Sequence, residues 1–428
     1  MLSNAHFCAS AAPLERPVVP AMARPGGLCR RAARIVPLAL ALALGHVGRA
    51  HACGGLVLPK HSERVGGMRE QEVLVVFQAD RTVVLASAGY KGAGDGAAFL
   101  LPVRHNPLEV HEASLDVFVA LDELTAPQVE IRVESDEEPR AGCRGLPGSA
   151  GDGDDEDGDS VMVLQRGTTA SYEYEVVGGD TGDDVIAWLT DAGYPLPADY
   201  AAAIAPYIDD GYFFLAAKIK PGLADGALPP LEVHLPATEV EAFAIPFGLA
   251  AQSLPPGEAL NITTYLVAGG GVLPKDDPAA PIDRNALVAE SPEQTNYAEL
   301  YAAAIEDGGW VVDYSAGEFA ADRLLEGVAS AQASGRAPDA SEAAVQEFID
   351  RVPFADVRLT RIRTTRTAAE LHDLTLKKVE GVGVGRTYNA TFNAGDGAAC
   401  TLARTGALDA LLVPLLLVLR PRRRRAAR

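Results

Sequence analysis

The chain has 428 residues, of which 48% are apolar and 22% charged, so it can bury a sizeable core and is not wholly disordered. With 42 Gly, 29 Pro and 6% aromatics, it is neither a coiled coil nor an all-helical membrane protein. A formal charge of −21 argues against a nucleic-acid partner, because a polyanion is repelled.

That charge is uneven. Residues 1–52 carry six Arg against one Glu, and residues 401–428 carry seven Arg against one Asp; taking the +5 and +6 of the two ends from −21 leaves −32 on residues 53–400. The N-terminal piece reads as an export signal. Arg30, Arg31 and Arg34 supply the positive region, 35–44 the apolar run and Ala50-His51-Ala52 the small-residue cleavage site, so signal peptidase would leave Cys53 first. The apolar run falls short of the roughly 20 residues that a bilayer span requires. Cys8 and Cys29 leave with this signal and Cys400 belongs to the tail, so Cys53 and Cys143 are the two cysteines of the body. They suit one disulfide in an oxidising compartment, and lipidation of Cys53 is the alternative that would prevent it.

Apolar and β-branched runs predict strands at 72–79 and 82–88, joined by a tight turn at Asp80-Arg81. Further strands are expected at 97–103, 108–121 and 128–134; the last alternates Val129, Ile131 and Val133 with charged residues, so one face is wet. Residues 144–160 then break the pattern with Gly and a run of Asp and Glu. This reads as a solvated acidic loop, although alternating carboxylates also suit Ca²⁺. Strands resume at 161–166 and 170–177. Helical periodicity follows at 183–192, capped by Asp183 or Asp184, and at 198–209. Strands at 212–220, 231–235, 239–247 and 260–268 complete a β-rich α+β domain, 53–268. The Gly- and Pro-rich stretch 269–292 is the expected linker. A smaller α+β domain, 293–392, carries helices at 294–307, 316–333 and 341–351 between strands at 310–314, 356–363 and 375–379. The predicted fold class is therefore α+β, an antiparallel β-rich body with a smaller helix-containing C-terminal part.

The tail, 393–428, places Cys400 before an apolar segment at 407–419 and then Arg420 and the Arg run 422–425. At about 1.5 Å per helical residue that segment reaches only roughly 20 Å, and the positive-inside rule keeps the Arg cluster cytoplasmic. This order resembles the MYXO-CTERM sorting tails. The resemblance implies recognition by a C-terminal sorting protease, cleavage near Cys400 and attachment at the surface. A simple membrane anchor is the alternative.

Several segments together resemble a family of exported bacterial proteins known only as a domain of unknown function. They are Ala52-Cys53-Gly54-Gly55, Phe99-Leu100-Leu101-Pro102-Val103, and Val185-Ile186-Ala187-Trp188-Leu189 followed by Gly193-Tyr194-Pro195-Leu196-Pro197. Gly211-Tyr212-Phe213-Phe214-Leu215, the 228–235 segment and Leu359-Thr360-Arg361-Ile362-Arg363 match as well. The resemblance covers most of 52–380 and carries no assigned catalytic residue.

The chain contains neither a G-x-S-x-G elbow nor H-E-x-x-H, and the Gly run at 381–385 lacks the Lys-Ser/Thr of a phosphate loop. The best candidate constellation is His105, Glu109 and His111. All three are odd-numbered, so a regular strand would put them on one face, and imidazole with carboxylate suits Zn²⁺. Pro107 interrupts that regularity, and ordinary surface residues are the alternative. Arg361 and Arg363 share a strand face, where they grip a carboxylate or phosphate ligand or pair with surrounding acids. Trp188 with Tyr194, and Tyr212 with Phe213 and Phe214, read as core aromatics, with a ligand groove as the alternative.

These features predict no cofactor beyond Ca²⁺ or Zn²⁺. They describe an exported protein of a Gram-negative cell envelope or surface, held at the outer membrane through its tail, that acts as a non-catalytic binding or structural module for an unidentified envelope ligand. The competing expectation is an envelope hydrolase or metal-dependent enzyme using His105, Glu109 and His111.

Overall fold

In strand Gly67–Phe77, Val73 and Val75 point to one side while Leu74 and Val76 point to the other, and all four are buried. A strand with both faces apolar has to be covered on both sides. The same alternation in Ala98–Val103 and Phe213–Ile219 sets Phe99, Leu101, Leu215 and Ala217 against Leu100, Phe214 and Ala216. The computed structural model describes residues 55–57, 67–91, 97–133, 162–179, 181–194, 200–221, 226–380 and 383–392. The export signal with Ala52 and Cys53, then Cys143, the acidic loop 144–160 and the tail with Cys400 lie outside the described residues.

These two-faced strands produce four layers. A five-stranded antiparallel sheet and a nine-stranded mixed sheet pack face to face, with Val73, Val75, Phe99, Leu101, Leu215 and Val233 in the core between them. Helices Asp116–Thr125, Arg323–Ala333 and Glu342–Arg351 cover the outer face of the larger sheet through Val117, Phe118, Leu324 and Phe348. Helices Gly182–Asp191 and Tyr200–Asp209 cover the outer face of the smaller sheet through Val185, Leu189 and Ile204. Each fully buried Leu, Val or Phe contributes about 1.5–3 kcal/mol relative to exposure. The architecture is thus α+β and β-rich.

The nine-stranded sheet takes strands from both sides of residues 269–292. Strand Ala259–Ala268 pairs parallel with Gly67–Phe77 and antiparallel with Val357–Thr367, which in turn pairs with Trp310–Phe319. Residues 269–292 contain the short strands Gly271–Pro274, Ala279–Ala280 and Ala289–Ser291. The first of these pairs with Leu374–Val379.

Four local outcomes differ from the sequence expectation. The strand expected over 108–121 ends at Glu112, and Asp116–Thr125 is helical. Val117, Phe118 and Leu121 recur at helical spacing, which overrides the β preference of the two valines. The strand expected over 239–247 is a 3₁₀ turn, Val240–Ala242, followed by the two-residue strand Ala244–Ile245. Residues 316–319, expected in a helix, continue strand Trp310–Phe319. The cap of Gly182–Asp191 is Thr181 rather than either aspartate: its hydroxyl accepts from the Asp184 amide and donates to the Asp184 carboxylate at 2.7 Å. At the other end, Gly193 takes φ 84°, a left-handed conformation suited to glycine, and the Tyr194 amide closes the helix on the Leu189 carbonyl at 2.8 Å.

Candidate metal centre

Strand Leu231–Pro236 alternates Leu231, Val233 and Leu235, which point into the inter-sheet core, with Glu232 and His234, which point to the helix-covered face. Its neighbour Glu109–Glu112 forms the edge of the sheet, and the antiparallel register sets Glu232 opposite His111 and His234 opposite Glu109. Cross-strand pairs are near neighbours. The result is a Glu109–His111–His234 group whose ligand-type atoms all lie within 4.8 Å of one another.

The group is supported from beneath. His234 is 1% exposed and Glu232 is fully buried, and His234 Nε2 lies 2.8 Å from Glu232 Oε1. Arg351, the last residue of helix Glu342–Arg351, donates to both Glu232 oxygens, from Nε at 3.0 and 3.3 Å and from Nη2 at 2.8 Å, while its Nη1 reaches Glu347 at 2.5 Å. Burial pushes the Glu232 carboxyl up, but hydrogen bonds from His234 and Arg351 outweigh it and hold the group below its ordinary value. An ionised carboxylate only accepts, so the His234 proton sits on Nε2 and Nδ1 keeps its lone pair. Arg81 Nη1, 3.2 Å away, donates to that lone pair.

His234 Nδ1 is 3.4 Å from Glu109 Oε2, and His111 Nε2 is 3.3 Å from the same oxygen. Bonds of about 2.0–2.1 Å in a tetrahedral zinc site put neighbouring ligand atoms roughly 3.3 Å apart. These contacts therefore match two edges of such a site. The His234–Glu232–Arg351 chain is the kind of carboxylate support that would fix the ring and tautomer of His234 were it to hold a metal. Glu109 and His111 are partly exposed, so the group opens to solvent on one side. A single carboxylate and two imidazoles do not suit Ca²⁺, which takes six to eight oxygens.

His105 is not part of this group. It is exposed and lines a pocket with Arg104, Tyr212 and Phe243. The chain turns through Arg104 and Asn106 before Glu109, so the period of two fails at Pro107 and the third member of the group is His234, more than a hundred residues further on. The polar positions of Leu231-Glu232-Val233-His234-Leu235, alternating inside an otherwise apolar strand, were the available signal for His234 and Glu232.

Arg361 and Arg363 lie elsewhere on the same sheet and meet the protein's own acids. Arg361 bonds Asp122 at 2.9 Å and approaches Asp313 at 3.3 Å, while Arg363 pairs with Asp313 and donates to the Tyr297 hydroxyl at 3.2 Å. Arg361 is 5% exposed and Asp313 is fully buried. Tyr212 and Phe214 are core residues, whereas Phe213 and Trp188 are half-buried. No helix among the described residues is long and apolar enough to cross a membrane.

The fold and site define a β-rich α+β protein with a supported His/Glu group on a sheet edge. The chain belongs to the family described as an uncharacterized protein conserved in bacteria (DUF2330), whose model matches residues 47–375. No curated protein matches it. Among solved structures it is similar to the crystal structure of baculovirus P35, with a TM-score of 0.32 and 8% identity over 74% of this chain and 98% of that one. A mutated baculovirus P35 after caspase cleavage gives a TM-score of 0.30 and 7% identity over 72% of this chain and 97% of that one. Likenesses this low carry no argument about fold or activity.

Proposed function

We propose that this is an exported protein of a Gram-negative cell envelope that acts as a non-catalytic binding module and holds a zinc ion at Glu109, His111 and His234. The observation that carries the metal reading is the buried His234–Glu232–Arg351 chain, which holds the His234 ring with Nδ1 3.4 Å from Glu109 Oε2, where a bound zinc ion would take the place of the Arg81 Nη1 contact at 3.2 Å. Export is supported by the order of Arg cluster, apolar run and small-residue site before Cys53, which implies signal peptidase as a processing partner. The Cys400, apolar segment and Arg block support anchoring through a sorted tail by a C-terminal protease at the outer membrane. The acidic body supports the absence of a nucleic-acid partner.

A second reading, a metal-dependent envelope hydrolase, is favoured by one feature of the same group. Three protein ligands leave a fourth tetrahedral position open, as in catalytic zinc sites. A broad hydrolase panel run on the zinc-loaded protein separates the two readings: turnover that disappears in His111→Ala establishes the enzyme and overturns the binding module, and an inactive protein that retains zinc is the result the binding module predicts.

A further inference from the structure

A second feature lies on the other sheet and shares no residue with the histidine group. Strands Met162–Thr168, Tyr172–Gly178 and Phe213–Ile219 run side by side, and helix Gly182–Asp191 lies on their outer face. Where that helix ends, an open groove of about 710 Å³ forms between Trp188, Asp191 and Tyr194 above and the sheet side chains below. Its volume falls in the roughly 300–1,000 Å³ range of small-ligand sites.

The floor is a grid of polar side chains on one sheet face. The register sets Arg166 opposite Glu175, and Glu173 opposite Lys218. Arg166 and Glu175 form an ion pair at 2.5 Å and neutralise each other. Glu173 and Lys218 make no ion pair with each other or with any other described residue. The Lys218 ammonium sits instead over the Tyr194 ring, 5.8 Å from its centroid. Half-buried Trp188 continues this aromatic wall, with its ring 6.2 Å from Tyr194 and tilted by 31°. The groove thus offers hydrogen-bond donors, acceptors and an aromatic face together.

We propose that this groove binds a neutral saccharide. Three carboxylates against two cations disfavour an anion, and the polar floor disfavours an apolar ligand. A pyranose supplies what remains. Its hydroxyls donate to Glu173 and Asp191 and accept from Lys218, and its C–H face packs on the Trp188 indole. Because the groove shares no residue with the metal group, the proposal stands independently of zinc.

The test is saturation-transfer NMR on the full chain with three probes, N,N′,N″-triacetylchitotriose, cellotriose and maltotriose, each up to about 10 mM, a ceiling that captures millimolar affinity. The expected result is saturable binding of at least one probe, weakened about tenfold or more in both Trp188→Ala and Lys218→Met. Lys218→Met keeps the aliphatic stem, so it decides the matter if Trp188→Ala melts early. Fluorescence provides a second readout, because the chain has two tryptophans and Trp310 is buried against Phe247. No saturable binding of any probe, or binding unchanged in Lys218→Met, overturns the proposal.

Discussion

His234 donates from Nε2 to Glu232 Oε1 across 2.8 Å, two residues apart on one strand face and both buried. This bond makes Glu232 a positioning residue for the metal group rather than a member of it. Replacing Glu232 by Gln keeps the shape but lets the ring turn and lose its fixed tautomer, so zinc affinity should fall about 10–100-fold. Glu232→Ala also strips Arg351 of its buried partner and should cost about 3 kcal/mol in urea unfolding. Calorimetry and equilibrium unfolding on the two variants check both outcomes.

Acid should loosen the fold at this point. Glu232 has a folded-state value below the ordinary 4.5, so its ionised form stabilises the fold near neutrality, and that contribution is lost as the pH falls below about 4.5 and passes through the lowered folded value. Asp373 acts oppositely, since burial raises its carboxyl above the ordinary 3.8 even though Tyr207 donates to it at 2.6 Å. Melting temperatures measured across the acid range should decline less steeply in Glu232→Gln than in the parent, and more steeply in Asp373→Asn.

The Asp313 carboxylate is fully buried and faces both Arg361 and Arg363. Burial draws both guanidinium groups down, but Tyr265, Asp122 and Asp313 around Arg361 and Asp313 beside Arg363 outweigh it and raise them. Removing the Asp313 carboxylate leaves Arg363 without its ion partner and Arg361 with Asp122 alone. Asp313→Ala should cost about 3–5 kcal/mol. Arg363→Met, which removes one cation while Arg361 keeps both Asp122 and Asp313, should cost clearly less. Chemical denaturation of the two variants side by side reads the difference.

Helices Asp116–Thr125 and Arg323–Ala333 touch at Gly327, where a Cβ would stand 2.6 Å from the Ala120 carbonyl oxygen and 2.9 Å from its Cα. Backbone cannot yield as a side-chain tip does. Gly327→Ala should therefore destabilise the protein by about 1–3 kcal/mol despite the better helix propensity of alanine. A thermal melt that shows stabilisation would contradict this packing.

Strand positions were legible wherever apolar residues ran in unbroken or alternating blocks, as in Gly67–Phe77, Ala98–Val103 and Val357–Thr367. The α+β class followed from those blocks. The valines of Asp116–Thr125 hid a helix because β-branching and helical spacing point in opposite directions there, and only packing on the sheet decides between them. For the site, Glu109 and His111 were visible from their spacing, since residues two apart share a strand face. His234 was not, because its place opposite Glu109 depends on strand pairing across 125 residues, which local pattern does not encode. Arg361 and Arg363 stood out by charge alone, and charge did not reveal that Asp122 and Asp313 would pair with them.

The proposed zinc site needs Glu109, His111 and His234 to bind one ion together. Zinc titration by calorimetry, with metal content of the dialysed protein measured in parallel, tests this most directly. The expected result is one zinc per chain, lost in His111→Ala and in Glu109→Gln, both partly exposed positions at which folding should persist, and unchanged in His105→Ala. Absence of stoichiometric zinc in the parent protein, or full retention in His111→Ala, would contradict it.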